Sequence, residues 1–488
     1  MRGYHILRRE PTVRRRSRLA PAAVAVLCVF TVAAGLTVTR LLPPRLALWQ
    51  PPAIAASGLA AAAPVLGTAT GAAPRSTAAT PAGIARAIKP VIGSAVFGPR
   101  LGVLVSDLRS GHVLYASNAT AGFAPASTTK LATSIAALQV LGPAARFDTT
   151  VVTGAGRSIV LVGGGDPTLA AGSPPPTDYP QPATLRDLAK RTARALTARG
   201  WRTVRLGYDT SLYTGPLLGP AWPESYVTTG NVSPITALSV DQGRVTASGA
   251  PADDESSSGP RAADPPAVAA AAFASFLSAD GISVRGSSPV TSAPAHASTV
   301  ASVESPPLTQ IVQWMLEESN NVIAENLARH VAIATRRQPS FSGAAAAVTS
   351  VLRSLGVTGA MTLYDGSGLS PDDRIAPATL IQLIRLASSH PKLRPILTGL
   401  PVEGFSGTLM RGGSVFGLGG KPGFGVVRAK TGNLTTVAAL AGTAYARNGQ
   451  LIAFAVMADH ISKAPGALER AATAMVNVAT ALAGCGCR

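Results

Sequence analysis

The sequence contains few of the residues that build many kinds of functional site. Its 488 residues include three cysteines and six histidines, and only 5% are aromatic. Cys485 and Cys487 form a C-x-C pair, and two ligands do not make a zinc site. The histidines are spread singly and no G-x-S-x-G motif accompanies them, which argues against the triad of an α/β-hydrolase. The sequence therefore predicts no metal and no cofactor.

Acidic residues are also scarce, since 24 of them stand against 43 basic residues and leave a formal net charge of +19. A charge of this size could indicate nucleic-acid binding. The arginines are scattered, however, and few aromatic residues lie between them, so we predict that nucleic acid is not a partner. An anionic surface is the more natural neighbour of such a chain.

Lysine is rare as well, because only seven of the 43 basic residues are lysines. Two of the seven belong to short motifs that follow one another in a fixed order: STTK at 127–130, SNN at 319–321 and KTG at 430–432. Arginine stays protonated in proteins, whereas a buried lysine can lose its proton and act as a base. Ser127 with Lys130 therefore offers a nucleophile with its base, and Lys430 offers a cation that could bind a carboxylate.

Each motif also has a plainer interpretation. Ser127 could be only the N-cap of a helix, a role compatible with catalysis. The SNN segment could be a polar break between two helices, and Lys130 and Lys430 could be surface lysines. Matches to S-x-x-K and S-x-N are common by chance, whereas K-T-G is rarer in a chain with few lysines. The order and local settings of the three motifs favour the catalytic interpretation.

The segments around the motifs predict their secondary structure. Residues 101–108 and 112–116 are predicted to be two strands, and Ser127 precedes an apolar helical run at 131–141. An apolar stripe at helical spacing covers 308–330, around the second motif. Farther along, apolar runs at 437–445 and 451–457 flank an Asn-Gly pair, which is a strong hairpin signal. We therefore expect the KTG motif to end a strand beside this antiparallel pair, and a C-terminal helix at 465–483 to pack on the same sheet.

The region between the first two motifs has its own pattern of strands and a helix. Strands are predicted at 150–153, 158–162 and 202–207, and a helix at 184–199.

The three motifs together are the signature of serine β-lactamases and penicillin-binding proteins. Further segments extend the likeness: LVGGGDPTL at 161–169, YDGSGLS at 364–370 and LPVEGFSGTLMR at 400–411. Over roughly residues 85–485 the chain resembles the class C low-molecular-mass penicillin-binding proteins, the D-alanyl-D-alanine carboxypeptidase/endopeptidase family (peptidase family S13). The resemblance implies an α/β (α+β) fold. Its transpeptidase-like domain would hold a five-stranded antiparallel sheet between helices, and a β-rich domain would be inserted into it.

The resemblance also implies a serine-type D-alanyl-D-alanine carboxypeptidase, with endopeptidase activity as a second expectation. Peptidoglycan stem peptides would be its substrates and β-lactam antibiotics its inhibitors. Ser127 would be the nucleophile, and Lys130, made less basic by burial and by neighbouring positive charge, would be its base. Ser319 would relay a proton to the leaving amine, and Asn321 would hold the substrate amide and Lys130. The implied substrate-binding residues are Lys430, Thr431, Gly432 and Asn433, with the backbone N–H groups of Ser127 and Asn433 forming the oxyanion hole.

Two departures from the family pattern stand out. Asn320 occupies the centre of the second motif, where the family usually has Asp, at a position that points away from the chemistry in relatives. The interval between Ser127 and Ser319 is short for a full two-domain insertion. Two rival functions are a β-lactamase, which would use the same motifs, and a catalytically silent cell-wall-binding protein. The silent protein would predict the decay of at least one motif, and all three are intact.

The composition divides the chain into several parts. A basic N-terminus (1–18) precedes a mostly apolar segment (19–40) that is long enough to span a bilayer. We interpret the segment as an uncleaved single-pass anchor, with a cleavable signal peptide as the alternative. An Ala/Pro/Thr-rich linker (41–81) follows. The predicted peptidase domain comprises 82–145 and 300–488, with 146–299 inserted, and it would lie outside the membrane on the cell-wall side.

Overall fold

The structure is a computed structural model, and it describes residues 78–246, 249, 259–410 and 416–487. The predicted anchor at 19–40, the basic N-terminus and nearly all of the linker lie outside the described residues. None of the helices in the described ranges combines the length and the apolarity needed to cross a bilayer. The described residues belong to a single compact unit, Ser76–Arg488, which includes the region inserted between the first two motifs.

Strands from both ends of the unit build one five-stranded antiparallel sheet. Its strands are β1 (Arg100–Asp107), β2 (Val113–Ser117), β10 (Val427–Leu434), β11 (Val437–Tyr445) and β12 (Leu451–Asp459). Their order in the sheet is β10-β11-β12-β1-β2. Gly449 has a φ of +81°, which suits the tight turn predicted between β11 and β12. The predicted fold, a five-stranded antiparallel sheet between helices, is confirmed.

Both faces of this sheet are buried, which explains why β11 and β12 are continuous apolar runs. Side chains alternate along the strands, so that Ala441 and Ala455 face one core while Leu440 and Phe454 face the other. The first core is covered by α2 (Lys130–Leu141), α6 (Leu308–Glu317), α7 (Asn321–Ala334), α8 (Phe341–Ser354), α9 (Pro377–Ser389) and α10 (Arg394–Thr398). The second core is covered by α1 (Pro81–Ile92) and the predicted C-terminal helix, α11 (Ala467–Gly484). The Cys485–Cys487 disulfide follows α11.

The inserted region (residues 146–299) contributes to a second five-stranded sheet. The strands of this sheet are β3 (Asp148–Thr153), β4 (Ser158–Val162), β5 (Thr203–Asp209), β6 (Ser283–Val284) and β7 (Thr299–Glu304). The helices of the region are α3 (Leu185–Ala198), α4 (Ser225–Thr228) and α5 (Pro265–Ala279). The strand order is β6-β5-β4-β3-β7, and the sheet is mixed: β4 pairs with β5 and β5 with β6 in parallel, whereas β3 pairs with β4 and β7 antiparallel. Two short strands elsewhere, β8 (Met361–Thr362) and β9 (Arg374–Ile375), pair with each other. The strands and the helix predicted for the inserted region are all present.

Candidate active site

The first motif lies where the chain enters α2. Ser127 is in a 3₁₀ turn, Ala126–Thr129, and Lys130 is the first residue of the helix. Ala126 has a φ of 46°, a left-handed conformation that non-glycine residues rarely adopt. Because α2 begins at Lys130, its N-cap is Thr129 and not Ser127. Ser127 is half-buried within the 3₁₀ turn, and its Oγ lies 2.8 Å from Lys130 Nζ.

Lys130 is fully buried, and three oxygens surround its amine. Nζ donates to Ser127 Oγ, to Asn321 Oδ1 at 2.7 Å and to the carbonyl of Ser367 at 2.9 Å. Burial lowers the pKa of Lys130 to about 7, against the opposing effect of the Asp365 and Glu325 carboxylates. The predicted loss of basicity thus comes mainly from burial, and the two carboxylates oppose it. A lysine with this pKa is partly neutral near neutral pH and can take the proton of Ser127.

The second motif separates two helices, because α6 ends at Glu317 and α7 begins at Asn321. The SNN segment is therefore a polar break between two helices and, at the same time, the second motif of the candidate site. Ser319 has a φ of 58° and lines a cavity of about 460 Å³ beside Asn321. Asn320, the departure from the family pattern, caps α7 by accepting from the N–H of Ile323 at 3.0 Å. Its side chain also donates to Gln242 of the inserted region.

The third motif lies inside β10 and does not end a strand, so that prediction was wrong. Lys430, Thr431, Gly432 and Asn433 all pair with β11 in register. β10 is the edge strand of the sheet. Outside that edge, the N–H of Ala429 donates to Pro401 O at 3.1 Å and the carbonyl of Val427 accepts from Glu403 N at 3.0 Å. Because backbone groups alternate along a strand, Thr431 and Asn433 present theirs to the same open edge.

Gly432 brings this edge close to the nucleophile. A Cβ on Gly432 would lie 2.7 Å from Pro125 O and 3.1 Å from the backbone nitrogen of Ser127. Only glycine permits this approach without displacing the turn. Gly432 thus lies against the backbone of Ser127 and directly precedes Asn433, the two residues whose N–H groups are the expected oxyanion hole.

Lys430 and Thr431 are buried within β10. Lys430 Nζ donates to Thr431 O at 3.1 Å, and the Thr431 and Thr408 hydroxyls are 2.7 Å apart. Burial, helped by the charge of Lys130, holds the pKa of Lys430 well below its usual range, while Glu318 opposes the shift. An incoming carboxylate would offset this cost, since it would supply the missing countercharge.

Sequence reasoning missed the groups behind Lys130. Glu325 accepts from the N–H groups of Gly366 and Ser367, at 3.0 and 2.8 Å, and so orients the loop whose carbonyl binds Lys130. Burial, and next the Asp365 carboxylate, raise the pKa of Glu325 to about 8. The YDGSGLS segment at 364–370 pointed to this loop, but a bond through a backbone carbonyl leaves no side-chain signal.

The fold and the site together define a class. An antiparallel sheet between helices, with a buried lysine on a serine hydroxyl and a KTG strand at its edge, is the arrangement of the serine penicillin-binding proteins and β-lactamases.

Comparisons with known proteins identify the family within this class. The profile of the D-Ala-D-Ala carboxypeptidase 3 (S13) family matches residues 92–258 and 250–482. Carboxypeptidase DacB of Mycolicibacterium smegmatis is 36% identical over 412 residues, which cover 82% of this chain and 85% of that protein. A D-alanyl-D-alanine carboxypeptidase of Actinomadura sp. is 29% identical over 450 residues, covering 77% and 81%. The crystal structure of penicillin binding protein 4 from Haemophilus influenzae has the same fold, with a TM-score of 0.64, 23% identity and coverage of 78% and 97%. The chain belongs to the D-Ala-D-Ala carboxypeptidase 3 (S13) family, as its motifs predicted.

Proposed function

We propose that this protein is a serine-type D-alanyl-D-alanine carboxypeptidase that acts on peptidoglycan stem peptides through an acyl-enzyme on Ser127. The observation that carries the proposal is the 2.8 Å contact between Ser127 Oγ and Lys130 Nζ, since Lys130 is fully buried. A nucleophilic hydroxyl needs a base within hydrogen-bond reach, and burial makes this lysine less basic. Family membership supports the substrate class.

Acylation begins when Ser127 Oγ attacks the carbonyl carbon between the two terminal D-alanines. The hydroxyl proton passes to Lys130 Nζ as the new C–O bond forms. The carbonyl oxygen becomes an oxyanion and accepts from the N–H groups of Ser127 and Asn433. Asn321 contributes by holding Lys130 and by binding the amide of the substrate.

The second half of acylation breaks the C–N bond and releases D-alanine. Its amine takes a proton through Ser319, which lines the cavity beside Asn321. Water then hydrolyses the ester, returning a proton to Ser127 and leaving the shortened peptide with a free carboxylate.

Lys430 and Thr431 select the substrate by its terminal carboxylate, because a buried cation and a hydroxyl bind a carboxylate better than a neutral end group. The acid of a β-lactam satisfies the same demand, which makes these antibiotics inhibitors. Cleavage of peptide cross-links is the second expected activity, since a cross-link has the same acyl side and a longer leaving group. A β-lactamase must deacylate quickly and often uses an extra carboxylate to activate water, a role that Glu325 does not suit because it is fully buried and bonded to backbone N–H groups.

The proposed location of the enzyme rests on the sequence alone. We propose that residues 19–40 anchor it as a single span and that the catalytic part lies on the cell-wall side. Protease protection in sealed membrane vesicles would test this, because the described part of the chain should be digested only from the outer side.

Labelling with fluorescent penicillin tests the proposed function. The wild-type protein should give a stable covalent band that Ser127→Ala abolishes. Ser134→Ala is the matched control, since Ser134 lies one turn farther along α2 and donates only to Lys130 O, at 2.7 Å. No band with the antibiotic intact would indicate a silent wall-binding protein, and no band with rapid loss of the antibiotic would indicate a β-lactamase.

A further inference from the structure

The second motif is bound to the inserted region at two consecutive residues. The Nδ2 of Asn321 donates to the carbonyl of Asn231 at 2.8 Å, and Asn320 donates to the side chain of Gln242. The partners lie 90 and 78 residues earlier in the chain. The inserted region therefore reaches the centre of the candidate active site.

The contact with Asn231 determines which way the Asn321 amide faces. An amide has one donor end and one acceptor end. With Nδ2 bonded to Asn231 O, the Oδ1 atom is directed to Lys130 Nζ, 2.7 Å away. If the amide turned over, its NH₂ group would meet the lysine ammonium, donor against donor. The carbonyl of Asn231 thus keeps an acceptor on Lys130.

One guanidinium fixes both contact points. Arg261 donates through Nε and Nη2 to the carbonyl of Gly230, at 3.1 and 2.9 Å, and through Nη1 to the carbonyl of Gln242, at 3.1 Å. Gly230 immediately precedes Asn231, so Arg261 sets the orientation of the chain at both positions that touch the motif. Gln242 itself has a φ of 56°, a conformation that persists only when the surroundings enforce it. The planar fork of arginine can join two carbonyls in this way, whereas a lysine ammonium cannot reproduce the geometry.

The segment that contains Asn231, residues 222–235, also contacts residues of the predicted peptidase domain. Trp222 Nε1 donates to Asp365 at 2.8 Å, and the Trp222 ring meets Phe341 edge-on, with centroids 5.1 Å apart. Val232 and Ile235 pack in the same buried cluster with Val322 of α7. The segment therefore has a fixed position relative to Asn321.

We infer that Arg261 is a positioning residue for acylation, acting through Asn231 and Gln242 to keep the Asn321 carbonyl on Lys130. The inference rests on the proposed function, because it assigns Arg261 a role in that reaction. The inserted region is then part of the catalytic apparatus and not only an attached domain.

The test compares Arg261→Ala with the wild type in two measurements: the acylation rate constant with a fluorescent penicillin, and its dependence on pH. We expect acylation of the variant to be roughly 10- to 100-fold slower, since misplacing a catalytic group by about 1 Å costs this much. The fall of the acylation rate toward acid pH should also occur at lower pH than in the wild type. The Lys130 ammonium loses Asn321 Oδ1 as an acceptor, so the pKa of Lys130 falls further. The other charged or titratable groups around this site are the carboxylates of Asp365, Glu325 and Glu318, the amine of Lys430 and the guanidinium of Arg244, and the variant leaves all five in place.

The controls separate positioning from mere stability. Arg205→Ala removes an exposed arginine of β5 in the same region and should acylate like the wild type. Arg261→Lys repeats the test with a smaller change, and Gln242→Ala removes only the side chain that accepts from Asn320. An unfolded Arg261→Ala protein therefore does not decide the outcome. Acylation rate constants and pH–rate profiles like those of the wild type in both Arg261→Ala and Arg261→Lys would overturn the inference. The inference would also be overturned if the acylation rate fell only because a smaller fraction of the variant protein could be labelled, while the midpoint of the pH–rate profile stayed unchanged. A wild-type protein that is not acylated at all would instead overturn the proposed function.

Discussion

Lys130 should control how the rate of acylation depends on pH. Its pKa is lowered from 10.5 to about 7 in the folded protein. This difference corresponds to about 5 kcal/mol against the ammonium form. Only the neutral amine can accept the proton of Ser127, so the rate should follow the neutral fraction. At pH 6 roughly one molecule in ten would be active, and above pH 8 more than nine in ten.

The assay is the second-order rate constant of acylation by a fluorescent penicillin between pH 5 and 9. We expect a single acid limb with its midpoint near pH 7 and a plateau above it. Lys130→Arg is the control, since a guanidinium keeps its proton and should be inactive at every pH. A rate that stays constant from pH 5 to 8, or that rises only toward pH 10, would refute the assignment of Lys130 as the base.

The same shift affects stability. Between about pH 7 and 10.5 the unfolded chain binds more protons at Lys130 than the folded protein does. The contribution of this residue to the free energy of unfolding should therefore increase with pH through that window.

Three further predictions concern groups around the site. Gly432→Ala should slow acylation by roughly 100-fold, because the added Cβ would lie 2.7 Å from Pro125 O and push β10 away from the nucleophile. A variant that is folded by circular dichroism and acylates at the wild-type rate would contradict this. Lys430→Ala should weaken kcat/KM by roughly 10- to 100-fold for a peptide ending in a free D-Ala carboxylate, and much less for the C-terminal amide. Equal losses for both peptides would exclude a carboxylate clamp. Trp222→Phe should lower the free energy of unfolding by about 1–3 kcal/mol, since the buried carboxylate of Asp365 loses a donor, and an unchanged urea midpoint would count against that bond.

The sequence predicted the parts of the fold that have strong periodic signals. The runs at 437–445 and 451–457 became β11 and β12 because both faces of the sheet are buried. The position of the KTG motif within its strand was predicted wrongly. β10 reads VRAKTGNL, in which polar residues interrupt the apolar pattern, and pairing with β11 extends the strand through them.

The site was predictable where side chains act and unpredictable where backbone groups act. Ser127, Lys130 and Asn321 meet as the motifs implied. The carbonyls of Ser367 and Asn231 complete the surroundings of Lys130 and Asn321, yet a carbonyl is common to every residue and leaves no pattern. Their position depends on packing between segments far apart in the chain, which only the folded structure shows.

The most direct test of the central claim is to locate the acyl group. The protein would be treated with penicillin, digested and examined by tandem mass spectrometry. We predict one penicilloyl adduct, on Ser127, that is absent from Ser127→Ala. An adduct on another residue, or none on a folded protein, would contradict the Ser127 acyl-enzyme.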